Sequence, residues 1–389
     1  MPMRKILSVI WILVFYTNGM CYDFSKVDEL VLKGISDKYY PGAALIIGLN
    51  QDVLYEKYYG GFTYDENSSG VTENSIFDLA SVTKVIATTS AIMKLYDKGL
   101  IELDSKVTDY LPEFGASGKD NVTVRNLLVH NSGLKAWMPF YKTCSNKKDV
   151  ANTIFSAGLE FDPGTTFLYS DLNMITLMLI IEKVSGESFS DFCGNEIFYQ
   201  LGLKNTMFNP PAEKKSNIVP TEYDANLRKR QLQGEVHDEN AFVIGGASGH
   251  AGLFSTAEDL FKFMRMMLNE GKYNNPYTRG IKEESMFKKE TVELFLNRYY
   301  TQDYMNTRAL GWDTKQDPVG KYRSQCGELI SANCFGHTGY TGTSVWCDRD
   351  RGITIVFLTN RVYPSRDING IKEVRPELHN LIIKTLTNK

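Results

Sequence analysis

Phe77-Asp78-Leu79-Ala80-Ser81-Val82-Thr83-Lys84 runs without a break into an apolar stretch that reaches Lys98 and stops at Gly99. Apolar residues all round mark a helix buried on every side, and glycine is the residue that commonly ends one. If a helix begins here, Ser81 and Lys84 share a face, because residues three apart are neighbours on it. The hydroxyl and the amine then lie within hydrogen-bond reach. A serine needs such a neighbour, since its free hydroxyl is a weak nucleophile at neutral pH. The start of a buried helix adds partial positive charge, which favours an alkoxide and a neutral lysine. A Ser-x-x-Lys spacing arises by chance about once in a chain of this length, so its placement weighs more than the spacing itself.

Away from this stretch the pattern changes. Ala43 to Leu49 and Val53 to Tyr59 are apolar or aromatic runs separated by Asn50-Gln51-Asp52, which reads as a hairpin. Thr343 to Cys347 and Ile353 to Thr359 flank a polar turn ending in Gly352, a second hairpin whose β-branched content suits a buried sheet. The last segment opens at Pro376 and sets Leu378, Leu381, Ile382 and Leu386 on one helical stripe. Between the ends, Leu172 to Val184 reads as another buried helix, and Ser255 with Glu258 as a capping box ahead of Leu260, Phe261, Met264, Met267 and Leu268. Strands at both ends with helices between them predict an α+β fold. Its antiparallel sheet is built from both chain ends, flanked by helices, with a large, mostly helical insert. The sheet region falls at about 22–80 plus 305–389 and the helical region at about 81–304.

The 389 residues are 43% hydrophobic and 23% charged, enough to bury a core, and the net charge of −3 comes without a block of like charge. Nothing here favours nucleic acid or an anionic membrane. Residues 1–21 read as an export signal: Arg4 and Lys5 precede an apolar run from Ile6 to Phe15 that is too short to span a bilayer. Export predicts a periplasmic or extracellular protein, or one in a secretory pathway. It also places the six cysteines where disulfides form, and Cys326 and Cys334 are close enough to close a small loop. No cysteine pair has metal-ligand spacing, and no metal or other cofactor is implied.

Two further motifs follow Ser81. Tyr169-Ser170-Asp171 lies between a Pro163-Gly164 turn and a buried helix. A phenol beside an ammonium can have its pKa lowered and act as a general base; the plainer alternatives are a half-buried aromatic at 169 and a helix N-cap at 171. Gly336-His337-Thr338-Gly339-Tyr340-Thr341-Gly342 leads into a strand, where small residues let a substrate backbone lie alongside. The backbone N–H of Tyr340 could join that of Ser81 as an oxyanion hole; otherwise the segment is a plain turn.

Together the three elements resemble the serine β-lactamase and penicillin-binding-protein superfamily, which carries Ser-x-x-Lys, Tyr-x-Asn and Lys-Thr-Gly in that order. The resemblance extends from about Pro41 to Leu386 and takes in Leu127-Leu128-Val129-His130-Asn131-Ser132-Gly133-Leu134 and Gly249-His250-Ala251-Gly252-Leu253-Phe254-Ser255. The use of Tyr169 brings it nearest the class C β-lactamases, the D-alanyl-D-alanine carboxypeptidases and related esterases and amidases. What this implies is an acyl-enzyme on Ser81, with Lys84 and Tyr169 handling the proton, the N–H groups of Ser81 and Tyr340 holding the oxyanion, and Thr338 and Gly339 lining the substrate strand. The sequence departs from the pattern twice: Asp171 stands where Asn is usual, and His337 where Lys is usual. Histidine is largely neutral at pH 7, so a substrate carboxylate is held less firmly. Asp171 either keeps His337 protonated or pairs with Lys84. Arg361, just past a strand, either replaces the missing cation or makes a surface ion pair.

Gly234-Glu235-Val236-His237-Asp238-Glu239-Asn240 looks like a segment of relatives linked to peptidoglycan turnover. Its His and carboxylates lack a helical ligand spacing, and a structural loop is the simpler reading. His250 is read as a packing residue and His130 as the end of a helix. The expected function is a secreted serine hydrolase acting on amide, peptide or ester bonds of a small molecule or muropeptide. A true β-lactamase and a non-catalytic binding or scaffold protein are the alternatives.

Overall fold

Alternate side chains of a strand face opposite ways, and β1 (Gly42–Leu49) is apolar on both sides. Leu45 and Ile47 enter one buried cluster while Ala44 and Ile46 enter another. β1 is therefore a central strand. It pairs antiparallel with β2 (Asp52–Gly60) across a tight turn at Asn50. Three strands from the far end complete the sheet: β3 (Cys334–Thr338), β4 (Ser344–Asp348) and β5 (Ile353–Thr359). The strand order is β3-β4-β5-β1-β2, so β1 lies against β5 and the sheet closes only when the two chain ends meet. In this computed structural model the described residues are 22–278, 280–299, 308–316 and 324–387; the expected export segment lies outside them.

One face is covered by α1 (Ser25–Ser36) and the final helix, through Val27, Val31, Leu378 and Ile382 packed on Leu45, Ile47 and Phe357. The other face is covered by the helical region, with α3 (Ala257–Leu268) bringing Phe261 and Met264 against it and α2 (Asp171–Ser185) deeper in the same core. This is the expected antiparallel sheet from both chain ends.

Three local expectations are corrected. The last helix, α4 (Ile371–Thr387), begins before Pro376, which sits inside it and not at its first position. The cap of α3 is Thr256, whose hydroxyl accepts from Asp259 N; Ser255 ends a short strand against Phe77, and its hydroxyl is bonded to Thr206 Oγ1 at 2.8 Å. Cys326 and Cys334 share a buried cluster with Ile330 and Trp346 as free thiols, and no disulfide joins the five described cysteines.

Candidate active site

Asp78 ends the short strand Phe77–Asp78, and its buried carboxylate accepts the N–H groups of Ala80 (2.8 Å) and His237 (2.7 Å). This grip holds Ala80 at φ 45°, in the left-handed region that residues with a Cβ seldom occupy. The strained residue delivers Ser81 on a 3-10 turn (Ala80–Val82), followed by π-helical Lys84–Thr89 and then α-helix Ser90–Asp97. The expected regular helix is thus irregular at its start, as helices often are at functional sites.

The irregular turn places the fully buried Lys84 so that Nζ lies 2.7 Å from Ser81 Oγ, 3.0 Å from the His250 carbonyl and 2.8 Å from Asp171 Oδ1. The amine also lies over the Tyr169 ring, 5.0 Å from its centre. Burial by itself pushes the Lys84 pKa down, but Asp171 and then Tyr169 outweigh it, and the group is held above its ordinary value. Lys84 is therefore an ammonium, not the neutral amine expected from the helix start. Tyr169 is corrected too: burial raises its phenol pKa despite the opposing pull of Lys84.

Asp171 is free to reach Lys84 because Ser170, not Asp171, caps α2, accepting from Asn173 N while its own hydroxyl donates to Lys135 O. His130 fixes this loop. Its Nδ1 accepts from Ser170 N (3.1 Å) and pairs with the Asn173 amide, so burial keeps the ring neutral. The sequence reading placed His130 at a helix end and missed this role. The helix does stop just before it, at Leu128.

His337 enters from β3. Its Nδ1–H donates to the Thr338 carbonyl at 2.8 Å, so Nε2 carries a lone pair and has no hydrogen-bond partner among the described residues. Burial pulls its pKa down to about 4 against the opposing influence of Asp313, whose carboxylate lies 3.8 Å from Nε2. Asp171 pairs with Lys84 and not with His337.

The turn after β3 is tied to the strand leading to Ser81. Thr341 and Thr343 donate their hydroxyls to the Asp78 and Leu79 carbonyls (2.7 and 3.0 Å). Gly339 fits here because a Cβ would lie 2.3 Å from Leu79 O. Buried Arg375 holds the turn from behind, donating to Gly339 O and Thr343 O at 2.8 Å each. Arg361 is no surface ion pair: its guanidinium donates through Nε to the Tyr340 carbonyl and through Nη1 to the Arg366 and Ile368 carbonyls, clamping the turn. Tyr340 itself is half exposed at the rim. Asp78 and Arg375 carry no sequence signal of their own, since their partners are backbone atoms of remote segments.

The 237–239 segment is a scaffold. His237 bonds Glu222 at 2.8 Å, while Asp238 bonds His250 Nε2 at 2.9 Å, so these neighbours turn to different partners. Among the described residues no group of three or more His, Cys, Asp or Glu side chains could hold a metal ion.

A buried lysine against a serine at the foot of a helix, with a β-strand and its turn packed alongside, defines a serine hydrolase of the penicillin-recognising fold. The family model described as Beta-lactamase matches residues 27–376, and the chain belongs to the beta-lactamase family. It is 33% identical over 368 residues to an N-acetylmuramyl-L-alanine amidase of Bacillus subtilis (strain 168), covering 86% of this chain and 80% of that protein. It is 32% identical over 359 residues to a protein of Escherichia coli (strain K12) provisionally named as a D-alanyl-D-alanine carboxypeptidase, covering 83% and 79%. Among solved structures, a class C beta-lactamase superposes with a TM-score of 0.71 at 21% identity over 94% of this chain and 95% of that one. The octameric penicillin-binding protein homologue of Pyrococcus abyssi gives 0.70 at 22%, over 94% and 78%. These structures share the fold.

Proposed function

We propose that the protein is an exported acyl hydrolase that forms an acyl-enzyme on Ser81 and cleaves amide or ester bonds in peptidoglycan-derived substrates. The observation that carries this reading is the Ser81 Oγ–Lys84 Nζ–Asp171 Oδ1 chain, with links of 2.7 and 2.8 Å. An ammonium cannot accept the serine proton unless it gives one up. Asp171 can take that proton as Lys84 receives the one from Ser81, and Oγ then attacks the carbonyl carbon. The N–H groups of Ser81 and Tyr340 hold the oxyanion. Collapse breaks the bond to the leaving amine or alkoxide, which takes the proton back through Lys84, with Tyr169 beside it. Water then repeats the sequence on the ester and frees Ser81. Thr338 and Gly339 line the substrate strand.

The B. subtilis relative bears the name of an N-acetylmuramyl-L-alanine amidase, which supports the amide and the peptidoglycan side of the reading. Efficient β-lactam hydrolysis is not supported. Burial holds the His337 pKa down to about 4, so this position lacks the permanent cation that a β-lactam carboxylate would be held by. The export reading rests on residues 1–21.

The test is labelling with a fluorophosphonate followed by mass mapping. The adduct should fall on Ser81 and vanish in Ser81→Ala, and a chromogenic cephalosporin should show little turnover. A folded protein that takes no label would reject the acyl-enzyme.

A further inference from the structure

Arg375 rises from α4 into the back of the turn after β3 and is buried there. No acidic group compensates its charge. Burial first, and then the like charge of Arg361, lower its pKa to about 9, so it is still a cation at neutral pH. A buried charge without a counter-ion weighs against folding.

The bonds that Arg375 makes do not account for that cost. Its two acceptors, Gly339 O and Thr343 O, are already satisfied within the turn by Gly342 N (3.1 Å) and Gly339 N (2.7 Å). The Thr341 and Thr343 hydroxyls anchor the turn as well. A neutral amide side chain could donate to the same carbonyls. What the guanidinium adds is its charge.

The position of that charge gives it a use. Gly339 O belongs to the same peptide unit as the Tyr340 N–H. The unit is trans, so the two point in opposite directions. Arg375 Nη2 holds the oxygen at 2.8 Å from behind, while the N–H points away and has no acceptor among the described residues. A cation on the oxygen draws electrons through the planar amide and makes its N–H a stronger donor, as linked hydrogen bonds polarise one another. The next carbonyl, Tyr340 O, takes Arg361 Nε at 2.6 Å. Two guanidiniums thus bracket this N–H on neighbouring carbonyls.

We propose that Arg375 is a positioning residue for acylation: its charge, passed through the Gly339–Tyr340 peptide, strengthens the Tyr340 N–H as a donor to the oxyanion. This rests on the acyl-enzyme reading. Arg375 itself touches no substrate.

The experiment follows fluorophosphonate labelling kinetics of the full chain in three variants. Arg375→Gln keeps N–H donors without charge, Arg375→Met keeps neither, and Arg375→Lys keeps the charge. Negative charge gathers on the phosphonyl oxygen as Ser81 attacks, but not in the encounter that precedes attack. In the Gln and Met variants kinact should therefore fall roughly tenfold, a fraction of the roughly 10²–10³-fold cost of losing a whole oxyanion donor, while KI stays unchanged. The Lys variant should recover most of the loss. Thermal midpoints of the two neutral variants should be no lower than that of the parent chain, because a lone buried cation is gone. A merely structural clamp predicts the reverse: lower midpoints, and a Lys variant no faster than the Met one. Unchanged kinact in the folded neutral variants, a loss that Lys shares, or failure of both neutral variants to fold overturns the proposal. A parent chain that takes no label at Ser81 rejects the acyl-enzyme and this role with it; a parent chain that labels no faster than its neutral variants rejects the role of Arg375 alone.

Discussion

An ammonium has three N–H bonds to give, and Lys84 gives them to Ser81 Oγ, the His250 carbonyl and Asp171. Asp171 decides the protonation of this group, and that has a kinetic consequence. In Asp171→Asn the carboxylate that raises the Lys84 pKa is gone, while burial still lowers it. The acceptor of the Lys84 proton is gone with it, so acylation at neutral pH should slow, read as the labelling rate, and an unchanged rate would remove Asp171 from the proton path. Lys84→Met should slow acylation by roughly 10²–10⁴-fold, the usual size of an acid–base contribution, measured as the labelling rate. His337 offers a complementary gain. Its Nε2 faces Asp313 without a hydrogen-bond partner among the described residues, so His337→Lys puts a permanent cation at the place of the lysine in the Lys-Thr-Gly pattern that the sequence resembles. Acylation by benzylpenicillin should then quicken by roughly tenfold, equal to about 1.4 kcal/mol, as followed by competition with the fluorophosphonate. The residue types at 81, 84, 169, 171 and 337 were legible in the sequence. Which carboxylate faced which base was not, because Asp171 and Asp313 are separated from their partners by long stretches of chain.

At the scale of elements, the site depends on the turn after β3 lying flat against the strand that leads to Ser81. Gly339 permits this contact, since a Cβ there would come within 2.1 Å of Thr343 Oγ1 and 2.3 Å of Leu79 O. Gly339→Ala should cost about 1–3 kcal/mol of stability, as overpacking does, read as a lower urea midpoint. The labelling rate of Ser81 should fall as well, because the turn that carries the Tyr340 N–H is pushed away. The two hairpins were readable from apolar runs around polar turns. The start of α4 was not, because the sequence cue of a proline at the first helical position lost to a helix that already begins at Ile371. The cap at Thr256 escaped for a similar reason: Ser255 is drawn into a strand, and only the pairing with Phe77 shows it.

Across the whole molecule, His130, His337 and His379 are all buried and held neutral, with burial as the chief cause in each; His337 is brought to about 4 and His379 to about 3. In an unfolded chain each would titrate near ~6.5. Above that pH both states bind no proton at these sites and the stability is fully present. As pH falls from ~6.5 towards about 4, the unfolded chain takes up protons that the folded chain refuses, so folding is weakened by up to about 1.4 kcal/mol per pH unit per histidine. Urea midpoints should therefore drop steeply between about pH 6.5 and about pH 5 while changing little from about pH 7.5 to about pH 6.5; equal midpoints throughout would show that these rings are hydrated in solution. Sequence alone determined the α+β class, the two terminal hairpins and the residue types around Ser81, because apolar periodicity and short-range spacing are local properties of the chain. The tertiary structure alone decided that Asp171 pairs with Lys84, that burial raises the Tyr169 phenol pKa, that Arg361 clamps a turn, and that Glu222 and Arg366 wall a cavity. Each of those outcomes depends on desolvation and on partners far away along the chain, and the sheet that joins the two chain ends is what brings them together.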